Sequence, residues 1–298
     1  MKKGTWRKVF VLAILAIAMV ASGCSSNQGG TDPAGNAPEK KGKVEIAYVE
    51  WSSEVASTNV VKAALQEKLG YEVEIVPVSA AAMWQAVASG DTDGIVAAWL
   101  PSTHQAYLDE VKDKVVDLGP NLDGTKVGLV VPSYVTIDSI EELNDNANKF
   151  DGKIIGIDPG AGLMAATEKV IADYGLNKMK LVEGSDATMA AVLADSIKNN
   201  QWVVVTGWTP HWKFASYDLK YLEDPKGIYG GDEQIHTIVR KGLKEDLPEV
   251  YNVLDKFSWS PDDMAEVMVW NEEPGADPYE NAKRWIAENE DKVNAWLK

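Results

Sequence analysis

Two tryptophans occupy the same sequence setting, each near the end of a short apolar segment. Trp99 is followed two residues later by Pro101, and Trp208 is followed in the same way by Pro210. Proline cannot donate a hydrogen bond to a neighbouring strand, so each motif predicts a strand that ends just after its tryptophan. Open α/β sheets bind ligands at the carboxyl ends of their strands. Both indoles are therefore predicted to face one binding site.

A third tryptophan, Trp84, opens a short predicted helix at the level of these strand ends. Indole faces carry negative charge density, and each desolvated contact with a cation contributes about 0.5–2 kcal/mol. A quaternary ammonium has no N–H to donate, so aromatic faces suit it better than hydrogen-bond acceptors do. Trp84, Trp99 and Trp208 are predicted to form a cage for such a cation. The alternative for each is a tryptophan buried in the core.

A glycine-rich turn, Asp158–Leu163, lies between a predicted strand and a predicted helix. Glycine lets a backbone approach a ligand closely, and free N–H groups at a helix start bind anions. The amides of Gly162 and Leu163 are thus predicted to hold a carboxylate, and His104 could add an imidazole N–H. The alternative for His104 is a surface histidine at a helix start. His211 is a weaker candidate of the same kind.

The same turn fits a dinucleotide fingerprint, with Gly160, Gly162 and Ala165 at the required spacing and Glu183 about twenty residues on. A secreted enzyme with a nucleotide loop is therefore the rival interpretation, although the export signal described next counts against it. The sequence contains no G-x-S-x-G elbow, no H-E-x-x-H motif and no Walker lysine, and its three histidines are scattered. We predict no catalytic residues, no cofactor and no metal site.

The first 23 residues are typical of an export signal, with a basic start and an apolar run over 9–20. That run is shorter than the roughly 20 residues that a membrane-spanning helix needs. Ala21-Ser22-Gly23 then precedes Cys24, the only cysteine in the chain, in an order that resembles the bacterial lipobox. We predict a lipid anchor on Cys24 at the extracytoplasmic face of a bacterial cell membrane. The alternative is a plain signal peptide with an incidental cysteine.

Beyond a polar tether over 24–43, the hydrophobic pattern predicts the order βαβαβ twice, about 105 residues apart. We therefore predict an α/β fold of two lobes, each a mixed, mostly parallel sheet flanked by helices, joined by two hinge strands. Lobe 1 comprises 44–133 and 235–298, and lobe 2 comprises 134–234. A ligand cleft between lobes implies closure around the hinge. The net charge of −16 disfavours nucleic acid as a partner.

With these residues in hand, the chain resembles the substrate-binding proteins of ABC importers for glycine betaine and related compatible solutes. The resemblance covers essentially the whole mature chain. Its matching stretches are 47–51 with 54–59, Met83–Gly90, Ala98–His104, Gly156–Met164, Thr206–Trp212, Tyr221–Lys226 and Ile235–Gly242.

The resemblance implies a type II periplasmic-binding-protein-like fold and a receptor that delivers its solute to an ABC permease for osmoprotection. It implies a three-tryptophan prism around the trimethylammonium head, at positions matching Trp84, Trp99 and Trp208. Main-chain amides matching Gly162 and Leu163, with a histidine matching His104, would meet the carboxylate. A receptor for carnitine, choline or another betaine is the alternative. The protein is expected to act as a monomer, and the roles of Trp51 and His211 stay open.

Overall fold

The computed structural model describes residues 41–298, all within one compact unit. The predicted signal segment, Cys24 and nearly all of the tether lie outside the described residues. Both predicted lobes begin at residue 44 or later, so both fall within the described residues.

The strands of the described chain are short, with one exception. They are β1 (Lys43–Tyr48), β2 (Glu72–Pro77), β3 (Gly94–Leu100), β4 (Val115–Pro132), β5 (Lys153–Ile155), β6 (Lys180–Val182), β7 (Val205–Thr209), β8 (Leu219–Tyr221) and β9 (Glu233–Arg240). They join in one sheet in the order β2-β1-β3-β9-β4-β7-β5-β6, with β8 paired to β4.

Helices follow most of these strands, and five more close the chain. They are α1 (Ser52–Ala63), α2 (Ala80–Ser89), α3 (Gln105–Val111), α4 (Gly162–Asp173), α5 (Asp186–Lys198), α6 (Lys213–Ser216), α7 (Leu243–Asp246), α8 (Pro248–Lys256), α9 (Pro261–Asn271), α10 (Pro278–Glu288) and α11 (Glu290–Trp296). A π-helical turn, Ala64–Lys68, extends α1. Short 3₁₀ turns at Ile140–Glu142 and Ala147–Phe150 precede β5.

The sheet repeats one arrangement at its two ends. In the first half, β1 pairs in parallel with β2 and β3, and β9 runs antiparallel beside β3. In the second half, β5 pairs in parallel with β6 and β7, and β4 runs antiparallel beside β7. This internal symmetry agrees with the repeated βαβαβ order of the sequence. The carboxyl ends of β1, β3, β5 and β7 therefore carry equivalent loops.

Strand β4 links the two halves and is much longer than the sequence suggested. The hydrophobic pattern predicts a strand over Val127–Val131 only. Gly119, Pro120 and Gly124, which are residue types common in turns, lie upstream of it. In the structure these residues lie within β4, where the register against β9 shifts three times. Such bulges accommodate residues that a regular ladder excludes. Farther along, Lys126–Val130 leaves β9 and pairs with β7.

Two strands of the second half are displaced from their predicted bounds. The strand expected over 153–158 ends at Ile155, which leaves the glycine-rich turn free of the sheet. The strand expected over 202–206 lies at Val205–Thr209, so Trp208 is inside it, as Trp99 is inside β3. The peptide bonds before Pro101 and Pro210 are both cis.

Helices α9 and α10 pack against α1 in the first half. Four tryptophans of the C-terminal part are buried, namely Trp259, Trp270, Trp285 and Trp296. Rings of Trp259, Trp285 and Trp296, with Phe257, contact one another at centroid distances of 5.1–6.0 Å. These tryptophans stabilise the C-terminal helices and lie outside the site described next.

Candidate functional site

A small cavity of about 30 Å³ lies between the two halves, at the carboxyl ends of their parallel strands. Its lining residues are Trp51, Ser53, Trp99, Thr103, His104, Val127, Ile157, Ala161, Gly162, Leu163 and Trp208. Both halves contribute walls, so their approach or separation changes the size of the cavity.

Five of the six predicted ligand-binding residues line this cavity. The indoles of Trp99 and Trp208 come from β3 and β7, and His104 precedes α3. Gly162 and Leu163 begin α4 on the opposite wall. The structure thus brings together the strand-end tryptophans and the glycine-rich turn, which the sequence places far apart.

The sixth residue, Trp84, does not line the cavity. It lies in the middle of α2, fully buried on the same helical face as Met83 and Val87. Its ring stacks on Tyr107 at 6.4 Å and meets the ring of His104 edge-on at 6.1 Å. Trp84 therefore packs behind His104 and is not one of the residues that line this cavity.

The third indole of the cavity belongs to Trp51, which directly precedes α1. Its side chain lies 6.3 Å from the His104 ring, and its Nε1–H donates a 2.8 Å hydrogen bond to Asp158 Oδ2. This bond joins the two halves. The sequence did contain a signal for Trp51 as a site residue. Trp51 follows β1 at a strand end, which is the kind of position that identified Trp99 and Trp208.

The imidazole of His104 is held as a neutral donor. Its Nδ1 accepts the backbone N–H of Trp99 at 3.1 Å, which leaves the ring proton on Nε2. Burial lowers the pKa of His104 to about 4. At neutral pH the ring can therefore give an N–H to a ligand oxygen without carrying a charge.

The amino end of α4 supplies further donors. Ala161, whose side chain has no acceptor atom, precedes the helix, so the first-turn N–H groups of Gly162 and Leu163 receive no side-chain cap. Gly162 also meets the other half closely, because a Cβ placed there would lie 1.9 Å from the carbonyl oxygen of Thr103. Only glycine allows this approach.

One positioning residue was missed by the sequence analysis. Glu233, buried at the start of β9, accepts the backbone N–H groups of Ser102 at 2.8 Å and Thr103 at 2.7 Å, together with the Thr103 hydroxyl. It therefore fixes the turn between Trp99 and His104. The sequence separates Glu233 from that turn by about 130 residues, so no local pattern could reveal the contact.

Beside the cavity, a second set of hydrogen bonds crosses the cleft. Asp186, at the start of α5, accepts both the backbone N–H and the hydroxyl of Ser52, at 2.9 and 2.7 Å. The same carboxylate receives His211 Nε2 at 3.0 Å, since His211 Nδ1 accepts the backbone N–H of Lys213. Trp208 Nε1 donates to Ser53 at 3.2 Å. His211 thus supports the cavity from behind and does not line it.

Burial and hydrogen-bond partners determine which groups of this network are charged. Although burial opposes ionisation, the hydrogen bond from His211, the attraction of the nearby Lys213 and the hydrogen bond from Ser52 lower the pKa of Asp186 to about 2. Burial lowers the pKa of His211 to about 4, with the nearby Lys213 acting in the same direction. At neutral pH the pair is therefore a carboxylate with a neutral imidazole.

A larger cleft of about 990 Å³ opens outside the cavity, lined by residues of both halves. Trp51 and Ala161 line both spaces. No cluster of metal-ligating side chains occurs among residues 41–298. In the part of the chain that the structure describes, no helix is both long and apolar enough to cross a bilayer.

Comparison with known proteins agrees with the geometry of the cavity. A family model described as the substrate-binding domain of ABC-type glycine betaine transport systems matches residues 42–288. The chain is 48% identical over 163 residues to the glycine betaine/carnitine transport binding protein GbuC of Listeria monocytogenes, covering 54% of each protein. It therefore matches about half the length of that curated relative.

Two solved structures are similar over most of the chain. The lactococcal OpuAC, in its closed-liganded conformation with glycine betaine, gives a TM-score of 0.82 at 49% identity, covering 87% of this chain and all of that one. The glycine/betaine/L-proline-binding protein ProX of Borrelia burgdorferi gives a TM-score of 0.83 at 44% identity, covering 86% and 97%. These similarities confirm the predicted two-lobed, type II fold class.

Proposed function

Because the chain belongs to the family of substrate-binding domains of ABC-type glycine betaine transport systems, we propose that it captures glycine betaine between its two halves. The observation that carries this proposal is the meeting of three indoles, a neutral histidine and an uncapped helix start around one cavity. This combination matches both ends of a betaine, a methylated cation and a carboxylate.

Trp51, Trp99 and Trp208 would surround the trimethylammonium group. Each ring offers a face of negative charge density, and the methyl groups gain by leaving water. Metal ions and primary amines would have to shed tightly held water for the same contacts. The cage therefore favours a large, weakly hydrated cation.

The carboxylate would meet His104 and the amides of Gly162 and Leu163. The ligand thus touches residues of both halves, and only the closed arrangement supplies every contact. Such a ligand shifts the population toward closure because it binds the closed state better. The large outer cleft gives a path to the cavity when Trp51 moves away from Asp158.

In this proposal the halves act as lobes with the predicted bounds, 44–133 with 235–298, and 134–234. The protein would hand its ligand to the transmembrane subunit of an ABC permease at the extracytoplasmic face, held to the membrane by a lipid on Cys24. It would act as a monomer and catalyse no reaction.

Carnitine and choline are the alternatives, because each presents a similar cationic head. Choline carries no carboxylate, so the donors at His104 and α4 favour a betaine over choline. An enzyme that uses the glycine-rich turn is the remaining alternative, and turnover of betaine or nucleotide by the purified protein would establish it.

Titration of tryptophan fluorescence with glycine betaine tests the proposal. We expect saturable binding, and a loss of about tenfold or more in affinity for Trp208→Ala, from lost ring contact and methyl burial. Dimethylglycine and glycine should bind progressively more weakly. Equal binding of all three compounds would refute the cage.

A further inference from the structure

Lys213 is a completely buried cation that the proposed binding site does not use. Its residue exposure is 0%, and no oxygen or nitrogen of residues 41–298 lies within hydrogen-bond reach of its Nζ. The ammonium instead lies over the ring of Trp208, 4.4 Å from the ring centroid. A buried lysine without a hydrogen-bond partner is rare, since burial of an uncompensated charge is costly.

The ring that Lys213 covers is also a wall of the ligand cavity. One indole therefore serves two positive groups, the lysine ammonium and the proposed ligand cation. Both are drawn to the same negative charge density, and they repel each other across a region with little water to screen them. Each cation therefore weakens the attraction between the other cation and the ring.

This inference rests on the proposed function. We propose that Lys213 determines the affinity of the site by acting through Trp208, such that a quaternary ammonium binds tightly when Lys213 is neutral and weakly when it is protonated. Binding and protonation are linked reciprocally, so ligand binding expels a proton from Lys213.

The surroundings of Lys213 place this exchange near neutral pH. Burial lowers the pKa of Lys213 to about 7, against a smaller opposing attraction from Asp186. The charged or titratable groups that face it are Asp186 from α5 and His211 from the preceding turn. Strands β4 and β7 present Val130 and Gly207, which carry no charge.

The remaining neighbours of α6 do not titrate near pH 7. Phe214 lies 6.0 Å from the ammonium and stacks on Tyr221 of β8, and burial raises the pKa of that phenol above its usual value. Asp186 stays ionised and His211 stays neutral between pH 6 and pH 8, since their pKa values are about 2 and about 4. Among the groups of residues 41–298 that face the ring, Lys213 alone changes charge in this window.

The test is calorimetric titration with glycine betaine at pH 6 and pH 8. If only neutral Lys213 supports tight binding, the wild-type affinity falls about tenfold from pH 8 to pH 6, following the neutral fraction. Lys213→Met keeps the length of the stem without the charge, and we expect equal affinity at both pH values. Lys213→Arg keeps the charge, and we expect weak binding at both. A wild-type affinity that is the same at both values, or a Lys213→Met variant that keeps the slope, would overturn the inference.

Glu54→Gln is the matched control, because burial raises the pKa of Glu54 to about 8, within the same range. Its carboxylate accepts the Val49 N–H and does not contact Trp208, so this variant should keep the wild-type pH profile. A profile that vanishes in Glu54→Gln would assign the effect to Glu54 and refute the role of Lys213.

Proton release gives a second readout on the unaltered protein. Titrations at pH 7 in buffers of different ionisation enthalpy should show release of a fraction of a proton per betaine bound. A titration that shows no proton release would contradict the inference. Absence of betaine binding at pH 8, by calorimetry and by tryptophan fluorescence, would refute the proposed function itself, and the inference with it. Betaine binding without a pH slope or proton release would refute the inference alone.

Discussion

Single side chains decide what the cavity can hold. Trp51 lines the cavity and donates its indole N–H to Asp158, whereas Trp84 is buried behind His104, and its Nε1 has no hydrogen-bond partner within residues 41–298. The two tryptophans are comparably buried and both lie near His104. They differ in whether the ring lines the cavity, which makes them a matched pair for mutation.

Phenylalanine in place of either tryptophan separates these roles. Trp51→Phe loses part of the ring face and the bond to Asp158, and we expect the affinity for glycine betaine to fall about tenfold. Trp84→Phe loses no hydrogen bond and no cavity wall, so affinity should stay within about twofold. Calorimetric titration of both variants at pH 8 measures the difference. The reverse order of effects would restore Trp84 to the cage.

At the level of elements, the site is formed where the starts of helices meet the ends of strands. Helix α4 begins at Gly162 directly against the carbonyl of Thr103, and Tyr107 of α3 donates its hydroxyl to the carbonyl of Gly160 at 2.5 Å. These contacts join the turn after β3 to the turn after β5. The lack of a side chain at Gly162 therefore controls how closely the start of α4 approaches the turn after β3.

Gly162→Ala should prevent full closure while leaving each half intact. The added Cβ would lie 1.9 Å from the Thr103 carbonyl oxygen, and backbone at that distance must move apart. Such overpacking costs about 1–3 kcal/mol, so we expect the affinity for glycine betaine to fall about fivefold or more. Fluorescence titration measures the affinity, and thermal melting without ligand should change little.

Gly231→Ala serves as the control, since a Cβ there would meet no atom within 4 Å among the described residues. Its affinity should equal that of the wild type. Unaltered affinity in Gly162→Ala would show that the ligand binds without the contact to Thr103.

For the whole molecule, a buried charge network holds the two halves together. Asp186 receives hydrogen bonds from the start of α1 and from His211, and its exposure is only 3%. A carboxylate is favoured at helix amino ends, where unpaired N–H groups point outward. This one side chain therefore links the first half, the second half and the wall behind Trp208.

The pH dependence of stability follows from the same carboxylate. Its folded pKa of about 2 lies below the ordinary 3.8, so its stabilisation is present above pH 3.8 and is lost as the pH falls toward 2. A shift of this size corresponds to roughly 2.5 kcal/mol, of which about 1 kcal/mol is lost by pH 3. We expect Asp186→Asn to be less stable than the wild type at pH 6, by about 2 kcal/mol, with a smaller gap at pH 3.

Urea unfolding at several pH values measures this gap. Other carboxylates titrate in the same range in both proteins and cancel in the difference, which therefore reports Asp186 together with its hydrogen-bonded partner His211. A gap that stays constant from pH 6 to pH 3 would contradict the assigned charge state.

Local patterns in the sequence were sufficient for several features of the site. The strand ends at Trp99 and Trp208 and the helix start at Gly162 depend on neighbouring residues, since proline and glycine restrict or free the backbone where they stand. The repeated βαβαβ order likewise follows from hydrophobic periodicity. These elements occur where the sequence indicated, with shifts of a few residues at their ends.

The sequence by itself determined the strands, turns and helices of the two βαβαβ repeats, and which of their strand ends carry tryptophan, because those choices depend on residues close along the chain. The tertiary structure alone decided that Trp51 and not Trp84 faces the cavity, that Glu233 holds the turn before His104, and that Lys213 lies over Trp208. Those contacts depend on which side of an element is turned toward a distant partner, and packing of the whole chain sets that orientation.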